Sequence, residues 1–580
     1  MTPSTSKIAE GIITHLSNFQ SKEGYLTDPH TKQPIPNSYG SAFYSLTCAK
    51  IYIQTKETKW KEKSISALRA ELNWAKNAAN HQGIYRWEFK NYALLQLYTI
   101  FHTELPPTEK TQLQEYIKTY HNICSYQTNY TTMRALNSQI RYQLFHKSKD
   151  KIRSKLELTI VKSRQDQDGF FSDDAHHHSF QYHAYILTLL YQYYELTRDQ
   201  NIKQRFLNGV NFLLPFIDQD GDFNYFGRGQ KQIFCYVSYI YALHAAAHIT
   251  CNSYYQDKAN KILTFIEPYL KDHRIICTPT QNLQQNHIPN TIQNSIQNII
   301  GYYPYNNVSD YLSFAAYYLL KSSEFPSISE QSSKNTSSIP VFNENQPFIK
   351  YYPTPNLLLI REKEFLCVLG GTPGNNAELP LIIHTHPTIF ATSGGPPNDP
   401  QNNLHYSTIF TGVHVKSGAL TLKKHHNTLT FLHVTTQNII KYQLLFSNKV
   451  TLNITIEPKR SNTIIPFHAA AISNHLFMCT IPLEKTATTS TLSGPMNMYE
   501  SKEKYLDKQL KFQVSFGNIN GTYTIPIIKR QPKLKPLFDN ILKYPYFTII
   551  IGLKTIKNPK HILTMIKYHN ERTKYYSQQK

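Results

Sequence analysis

The apolar residues of this chain keep one spacing up to about residue 321 and another after about residue 347. In the first part, "SAFYSLTCAKIYIQT", "NYALLQLYTIFHTEL", "YHAYILTLLYQYYEL", "IFCYVSYIYALHAAAHI" and "SDYLSFAAYYLLKS" repeat apolar residues at helical spacing. Several are apolar nearly all round, which fits helices covered on more than one side. In the second part, "VTLNITIE" alternates strictly. Val450, Leu452, Ile454 and Ile456 face one way, and Thr451, Asn453, Thr455 and Glu457 the other. "KFQVSF" alternates too, and Asn520-Gly521 is a hairpin signal. Between the parts lies "SSEFPSISEQSSKNTSSIPVFNENQ", rich in Ser, Asn and Pro. The expectation is a multidomain α + β chain. Residues 1–321 form paired helices in an incomplete ring, 322–346 a linker, and 347–530 an antiparallel β domain with sheets packed face to face. Residues 531–580 form a mixed extension.

A short turn recurs ahead of the helices. It is a polar or acidic residue, a glycine, and an aromatic soon after: "SKEGYLTD" at Gly24, "NHQGIYRWE" at Gly83, "DQDGFFSDD" at Gly169 and "DQDGDFNYFG" at Gly221. Glycine permits the tight turn, and acidic neighbours can accept its amides. The repeat suggests that successive helical hairpins are entered in the same way.

The formal net charge is +22, so the chain attracts polyanions. The basic stretches "KLKPLF" and "KYHNERTKYYSQQK" are diffuse, which argues against a dedicated nucleic-acid arm. The 42 tyrosines fit surfaces that touch sugars, although a compositional drift toward Asn, Lys, Ile and Tyr would also raise them. Seven cysteines, with no CxxC pair, argue against a disulfide framework and a thiolate zinc cluster. The N-terminal stretch has no basic segment leading into an apolar one, and no uninterrupted apolar run reaches membrane length. The expectation is a cytoplasmic chain with no membrane span.

The densest chemistry is "SRQDQDGFFSDDAHHHSFQYHAY". A helix starting near Ser179 would put His178, Tyr182 and Tyr185 three or four apart on one face, near amides that favour a bound carboxylate. A neighbouring His and Tyr could act as base and acid. His176 and His177 read as a solvated turn, and His183 points elsewhere. In "NYFGRGQKQIFCY", glycines flank Arg228, whose two-pronged guanidinium suits a carboxylate. Gln230 and Tyr236 follow it. In "YRWEFKNY", Trp87 is a candidate sugar platform and Glu88 a polar contact, with a core anchor as the plain alternative. In "TNYTTMRALNSQ", Asn129 enters a helix, either as a functional group or as a cap. In "IIHTHPTIF", His384 and His386 share a strand face. With His405 they could hold a metal, but buried histidines with local partners fit better, so no cofactor is expected.

Helical hairpins entered through D-G-aromatic turns, followed by an antiparallel β domain, resemble the toroid-plus-β-sandwich polysaccharide lyases, of the heparinase II/III-like or hyaluronate/chondroitin lyase type. "DGFFSDDAHHHSFQYHAY" and "YFGRGQKQIFCY" carry the motif likeness. The resemblance implies an N-terminal (α/α) toroid and β-elimination on an acidic, uronate-containing polysaccharide or oligosaccharide. It implies His178 and Tyr182 in proton transfer, with Arg228 and Asn129 neutralising the carboxylate. Trp87, Glu88, Tyr185, Gln230 and Tyr236 are the candidate substrate contacts. Heparinase II/III-like proteins carry an H-x-H-x-D motif in the β domain, whereas "HTHPTIF" lacks the Asp, which puts a metal there in doubt. Such lyases are often periplasmic or secreted. Two alternatives stay open. One is a toroid glycoside hydrolase using two of Asp166, Asp168, Asp173, Asp174, Asp218, Asp220 and Asp222. The other is a non-catalytic carbohydrate-binding or scaffold protein.

Overall fold

The structure, a computed structural model, describes residues 4–29, 38–77, 87–118, 127–173, 178–224, 232–275 and 307–328, single positions beside them, and strand segments between 348 and 516. The chain divides into two units, Met1–Ile527 and Ile528–Lys580, and every element below belongs to the first.

Twelve helices are described. Six are inner: α2 (Gly40–Thr55), α4 (Trp87–Phe101), α6 (Thr128–Phe145), α8 (Phe180–Thr197), α10 (Ile233–Thr250) and α12 (Val308–Ser322). Six are outer: α1 (Thr5–Ser17), α3 (Thr58–Asn77), α5 (Pro107–Lys118), α7 (Ser148–Ser163), α9 (Gln200–Leu213) and α11 (Ser253–Lys271). The inner helices form a circuit, α2 on α4, α4 on α6, α6 on α8, α8 on α10, α10 on α12, and α12 back on α2. Each of α3, α5, α7, α9 and α11 packs on the inner helix before it, and α1 packs on α12. The ring expected to be incomplete is therefore a closed circuit of six hairpins. The reason is that the first described helix in sequence is the outer partner of the last described one.

Burial follows the sequence pattern. In α8, every residue from Phe180 to Tyr194 is buried, as suits an inner helix touched on all sides. Outer α1 buries only the stripe Ala9, Ile12, Ile13 and Leu16. Helix α10 is long and apolar enough to cross a membrane by composition, but it is an inner helix whose apolar residues are buried in the ring.

The two ends of the ring differ. Inner helices hand over to outer ones through residues 56–57, 102–106, 146–147, 198–199 and 251–252. Four of these turns open with a left-handed residue, namely Lys56, His146, Arg198 and Cys251. The opposite end carries the longer connections 18–39, 78–86, 119–127, 164–179, 214–232 and 272–307. All six inner helices start at that end.

The recurring turn is real at three of its four positions, while Gly83 lies outside the described residues. Gly24, Gly169 and Gly221 have φ of 95°, 97° and 97°. A Cβ on each would stand 2.2, 2.4 and 2.5 Å from the backbone oxygens of Ser66, Asn208 and Lys261, on the outer helices α3, α9 and α11. Each turn thus presses its inner hairpin onto the next outer helix. Gln20 and Gln165 repeat the same service. The Nε2 of Gln20 donates to Gly24 O and Lys63 O, and that of Gln165 to Gly169 O and Arg205 O.

The seam between first and last hairpins is stapled by Asp310, which is fully buried. Its Oδ1 accepts from Ser38 Oγ (2.5 Å), Tyr39 N (2.8 Å) and Gly40 N (2.6 Å), and its Oδ2 from Asn307 Nδ2 (2.7 Å). A carboxylate on α12 thus takes the orphan amides that open α2.

The second half contains two antiparallel sheets. Their strands are β1 (Phe348–Tyr352), β2 (Leu357–Arg361), β3 (Phe365–Gly370), β4 (Leu381–Thr385), β5 (Thr388–Ser393), β6 (Leu420–His425), β7 (Thr428–Val434), β8 (Asn438–Phe446), β9 (Val450–Pro458), β10 (His468–Ile472), β11 (Met496–Glu500) and β12 (Leu510–Phe516). One sheet has the order β1-β2-β3-β4-β5-β10-β11 and the other β12-β9-β8-β7-β6. The two alternating runs read from sequence are neighbours, with Phe512 opposite Ile454 and Val514 opposite Leu452. Asn520-Gly521, and the side chains that would face each other in a sandwich, lie outside the described residues.

The β1–β2 hairpin docks on the ring. Lys350 Nζ pairs with Asp168 Oδ1 at 2.8 Å. The Tyr352 ring lies 5.1 Å from Phe212 and 5.4 Å from Phe216. Buried Arg361 donates to Pro215 O at 2.9 Å and Ile217 O at 2.5 Å.

Candidate active site

The end of the ring where the inner helices start is built from their first turns. Each supplies an aromatic ring: Tyr39 just ahead of α2, Phe89 on α4, Tyr130 on α6, Tyr182 on α8, Phe234 on α10 and Tyr311 on α12. All six are buried or nearly so. Tyr39 stacks on Phe89 at 4.6 Å, Phe89 meets Tyr130 edge-on at 5.9 Å, and Phe234 lies 5.8 Å from Tyr311. Together they floor the mouth with aromatic faces. On three consecutive inner helices the residue before the ring is polar: Glu88-Phe89, Asn129-Tyr130 and Gln181-Tyr182.

Polar groups stand in and beside the same first turns. Glu88 Oε2 accepts from Asn137 Nδ2 at 2.9 Å. Asn129 Oδ1 accepts the Tyr130 amide at 2.7 Å. The Thr128 amide and hydroxyl both bond Asp173 O, which fastens the start of α6 to the segment leading to His178. Asp222 Oδ1 accepts the Tyr236 hydroxyl at 2.6 Å. Gln181 Oε1 and Gln232 Oε1 are buried acceptors with no partner among the described residues. Buried acceptors are ordinarily satisfied, so each of these two leaves an acceptor open to a donor.

The structure brings Asn129, His178 and Tyr182 to neighbouring first turns, on α6 and at the entry to α8. Ser179 caps α8, accepting the Gln181 amide, so the expected helix start holds. His178 precedes that cap, outside the helix, and turns its ring edge-on to Phe170 at 5.7 Å, so it does not continue the helical face of Tyr182. Tyr185 lies one turn deeper. It is wholly buried, and its hydroxyl donates to Met133 Sδ at 3.1 Å. Tyr236 is also wholly buried. Burial pushes both hydroxyls well above the ordinary tyrosine range. These two therefore lie below the mouth. Trp87 opens α4 and packs edge-on against Tyr116 at 4.7 Å. Arg228 and Gln230 lie outside the described residues, although Phe226, just before them in sequence, accepts the Phe180 amide at the start of α8. His384 falls on β4, and its side chain, like His386 and His405, is outside the described residues.

His183 belongs to the frame. Its Nδ1 accepts the Phe171 amide at 2.9 Å, so Nε2 carries the proton and donates to Gly209 O at 2.9 Å. It ties the Gly169 turn to α9. Burial lowers its pKa from 6.5 to about 3. The depressed value means that the unfolded state binds the proton first. The His183 contribution is present above pH 6.5 and declines as pH falls toward 3, at roughly 1.4 kcal/mol per pH unit. His183→Gln removes this titration. Thermal melts from pH 7 to 4 should show a shallower loss of stability in that variant than in the parent, and equal slopes would show that His183 does not titrate in this way.

No protein-family model matches the chain, and no curated protein matches it. Among solved structures it is similar to a GH76 α-mannanase from Bacteroides thetaiotaomicron, at 9% identity over 56% of this chain and 96% of that one, with a TM-score of 0.40. It is similar to an inactive α-1,6-mannanase variant from Salegentibacter sp. HEL1_6 bound to α-1,6-mannotetrose, at 12% identity, 55% and 99% coverage and a TM-score of 0.40. A cellobiose 2-epimerase from Bacillus thermoamylovorans matches at 11% identity, 46% and 87% coverage and a TM-score of 0.38. Similarity at this level says nothing of activity.

The aromatic floor and the buried glutamines were not singled out in the sequence. The available signal was the polar-aromatic pair at the starts of α4, α6 and α8.

Proposed function

We propose that the mouth binds an acidic glycan and cleaves it by β-elimination. The observation that supports this most is the joining of an aromatic floor, given by all six inner helices, with buried amide acceptors at Gln181 and Gln232. Flat rings stack on sugar faces, and the acceptors take hydroxyls. The positive ends of six helix dipoles and a net charge of +22 favour an anionic substrate. In this reading Arg228 and Asn129 hold the uronate carboxylate, because a carbanion beside it forms only when that charge is neutralised. His178 and Tyr182 take the proton next to the carboxylate and return one to the leaving glycosidic oxygen. Trp87 and Glu88 border the sugar at α4, Gln230 contacts it beside Arg228, and Tyr185 and Tyr236 support the site from below. No metal is assigned to the reaction.

Tyr182→Phe keeps the ring and removes the hydroxyl, so turnover of a uronate polymer should fall by roughly 10²-fold with the fold retained. The readout is ultraviolet absorbance of the unsaturated product. An unchanged rate would remove Tyr182 from the chemistry.

A second reading is hydrolysis. It rests on Asp173 and Asp222, buried carboxylate residues on the α6 and α10 sides of the α8 entry. Asp166 and Asp218 each hold two amides of their own turn on Oδ1, and Asp222 Oδ1 likewise accepts the Asn224 amide and the Tyr236 hydroxyl, so Asp173 is the stronger candidate of the pair. Reducing ends formed without ultraviolet absorbance would favour hydrolysis.

A further inference from the structure

The two Asp-Gln-Asp-Gly turns, at Asp166–Gly169 and Asp218–Gly221, stand immediately ahead of α8 and α10, and the β1–β2 hairpin touches the neighbourhood of both. On one side, Lys350 pairs with Asp168 at 2.8 Å, within the Asp166–Gly169 turn. On the other, Arg361 bonds the carbonyls of Pro215 and Ile217, the second of which adjoins Asp218. Tyr352 packs against Phe212 and Phe216. Arg361 is buried and Lys350 is half-exposed.

We propose that the β1–β2 hairpin is a positioning clamp that fixes the two turns, and through them the His178/Tyr182 and Asp222/Gln232 sectors of the mouth. Arg361 is its central positioning residue. This deepens the glycan-processing reading of the mouth. The coupling path is short. Asp166 Oδ1 accepts the Asp168 and Phe170 amides, and the next residue, Phe171, donates to His183 of α8. Asp218 Oδ1 accepts the Asp220 and Asp222 amides, and Asp222 takes the Tyr236 hydroxyl of α10. A shift of either turn therefore moves the start of its inner helix. Misplacement by about an ångström is enough to cost a reaction roughly 10²-fold.

The test uses the full chain and three variants: Lys350→Ala, Arg361→Gln and Arg361→Lys. Hydrogen exchange reads the clamp without any activity. Lys350→Ala should speed exchange by roughly tenfold at the Phe170 and Phe171 amides and leave those of Asp220 and Asp222 alone. Arg361→Gln should do the reverse, and Arg361→Lys should restore part of the protection. Helix α4 should exchange as in the parent in all three. Uniform acceleration that includes α4, or no change at either turn, overturns the clamp. Lys350→Ala removes only a partly exposed pair, so it keeps the test decisive even where Arg361→Gln fails to fold. Turnover of the uronate polymer is measured alongside. A fall in kcat of about tenfold with KM within threefold supports positioning, whereas loss of KM alone overturns it. A parent that cleaves no polymer removes the proposed reaction, yet the exchange result still decides the clamp.

Discussion

Gly169→Val is expected to destabilise the fold by about 2–5 kcal/mol, summing left-handed strain and overpacking. The backbone there has φ of 97°, a region that a β-branched residue rarely enters. The new Cβ would also stand 2.4 Å from Asn208 O and 2.7 Å from its carbonyl carbon. Neither neighbour is a flexible side-chain tip, so turn and outer helix must part. Parting them breaks the Gln165 and His183 bridges, which cross the same joint. Gly11 is the internal control. It sits within α1 with nothing inside 4 Å of a Cβ, so Gly11→Ala should stabilise by up to about 1 kcal/mol. Urea midpoints of the two variants should move in opposite directions. A Gly169→Val midpoint equal to the parent's would mean that the turn does not press on α9 as described.

Asp310→Ala is expected to cost about 3 kcal/mol or more. It removes the buried acceptor of the Tyr39 and Gly40 amides, the Ser38 hydroxyl and the Asn307 amide, leaving the Gly40 amide only its bond to Ser38 Oγ at 3.0 Å. The carboxylate also binds across the seam between α2 and α12, so its loss weakens the closure of the ring as well as one helix cap. Gly40 leaves no slack for rearrangement, because a Cβ there would be 2.8 Å from the Ser309 carbonyl carbon. Asp310→Asn keeps one acceptor oxygen for the α2 amides but turns an amide donor toward Asn307, so it should lose less. Denaturant unfolding of the three proteins should rank them parent, Asn, Ala. Equal stability of parent and Asp310→Ala would contradict the staple.

The helical and alternating periods were legible because they record burial directly. Inner helices read as apolar all round, and the strand runs at Val450 and Phe512 read as alternating partners. The D-G-aromatic turn was legible because its glycines are forced by geometry at Gly24, Gly169 and Gly221. Closure of the ring was not legible. It depends on pairing α1 with α12, a long-range choice that no local pattern records. The left-handed residues at Lys56, His146, Arg198 and Cys251 were also missed, since none is a glycine. At the mouth, Tyr182 and Asn129 could be placed from helix starts. The depth of Tyr185 and Tyr236 could not, because spacing gives a face but not how far a neighbouring helix covers it.

The partnership of α1 with α12 has a consequence for synthesis. A chain leaving the ribosome N-terminus first makes α1 long before α12, and α12 must be complete before the α1 stripe of Ala9, Ile12, Ile13 and Leu16 finds its cover. Until then an apolar stripe and an open flank of α2 stay exposed in a nascent hairpin array. Slow translation between residues 55 and 308 lengthens that exposure, and chaperone demand should concentrate in that interval.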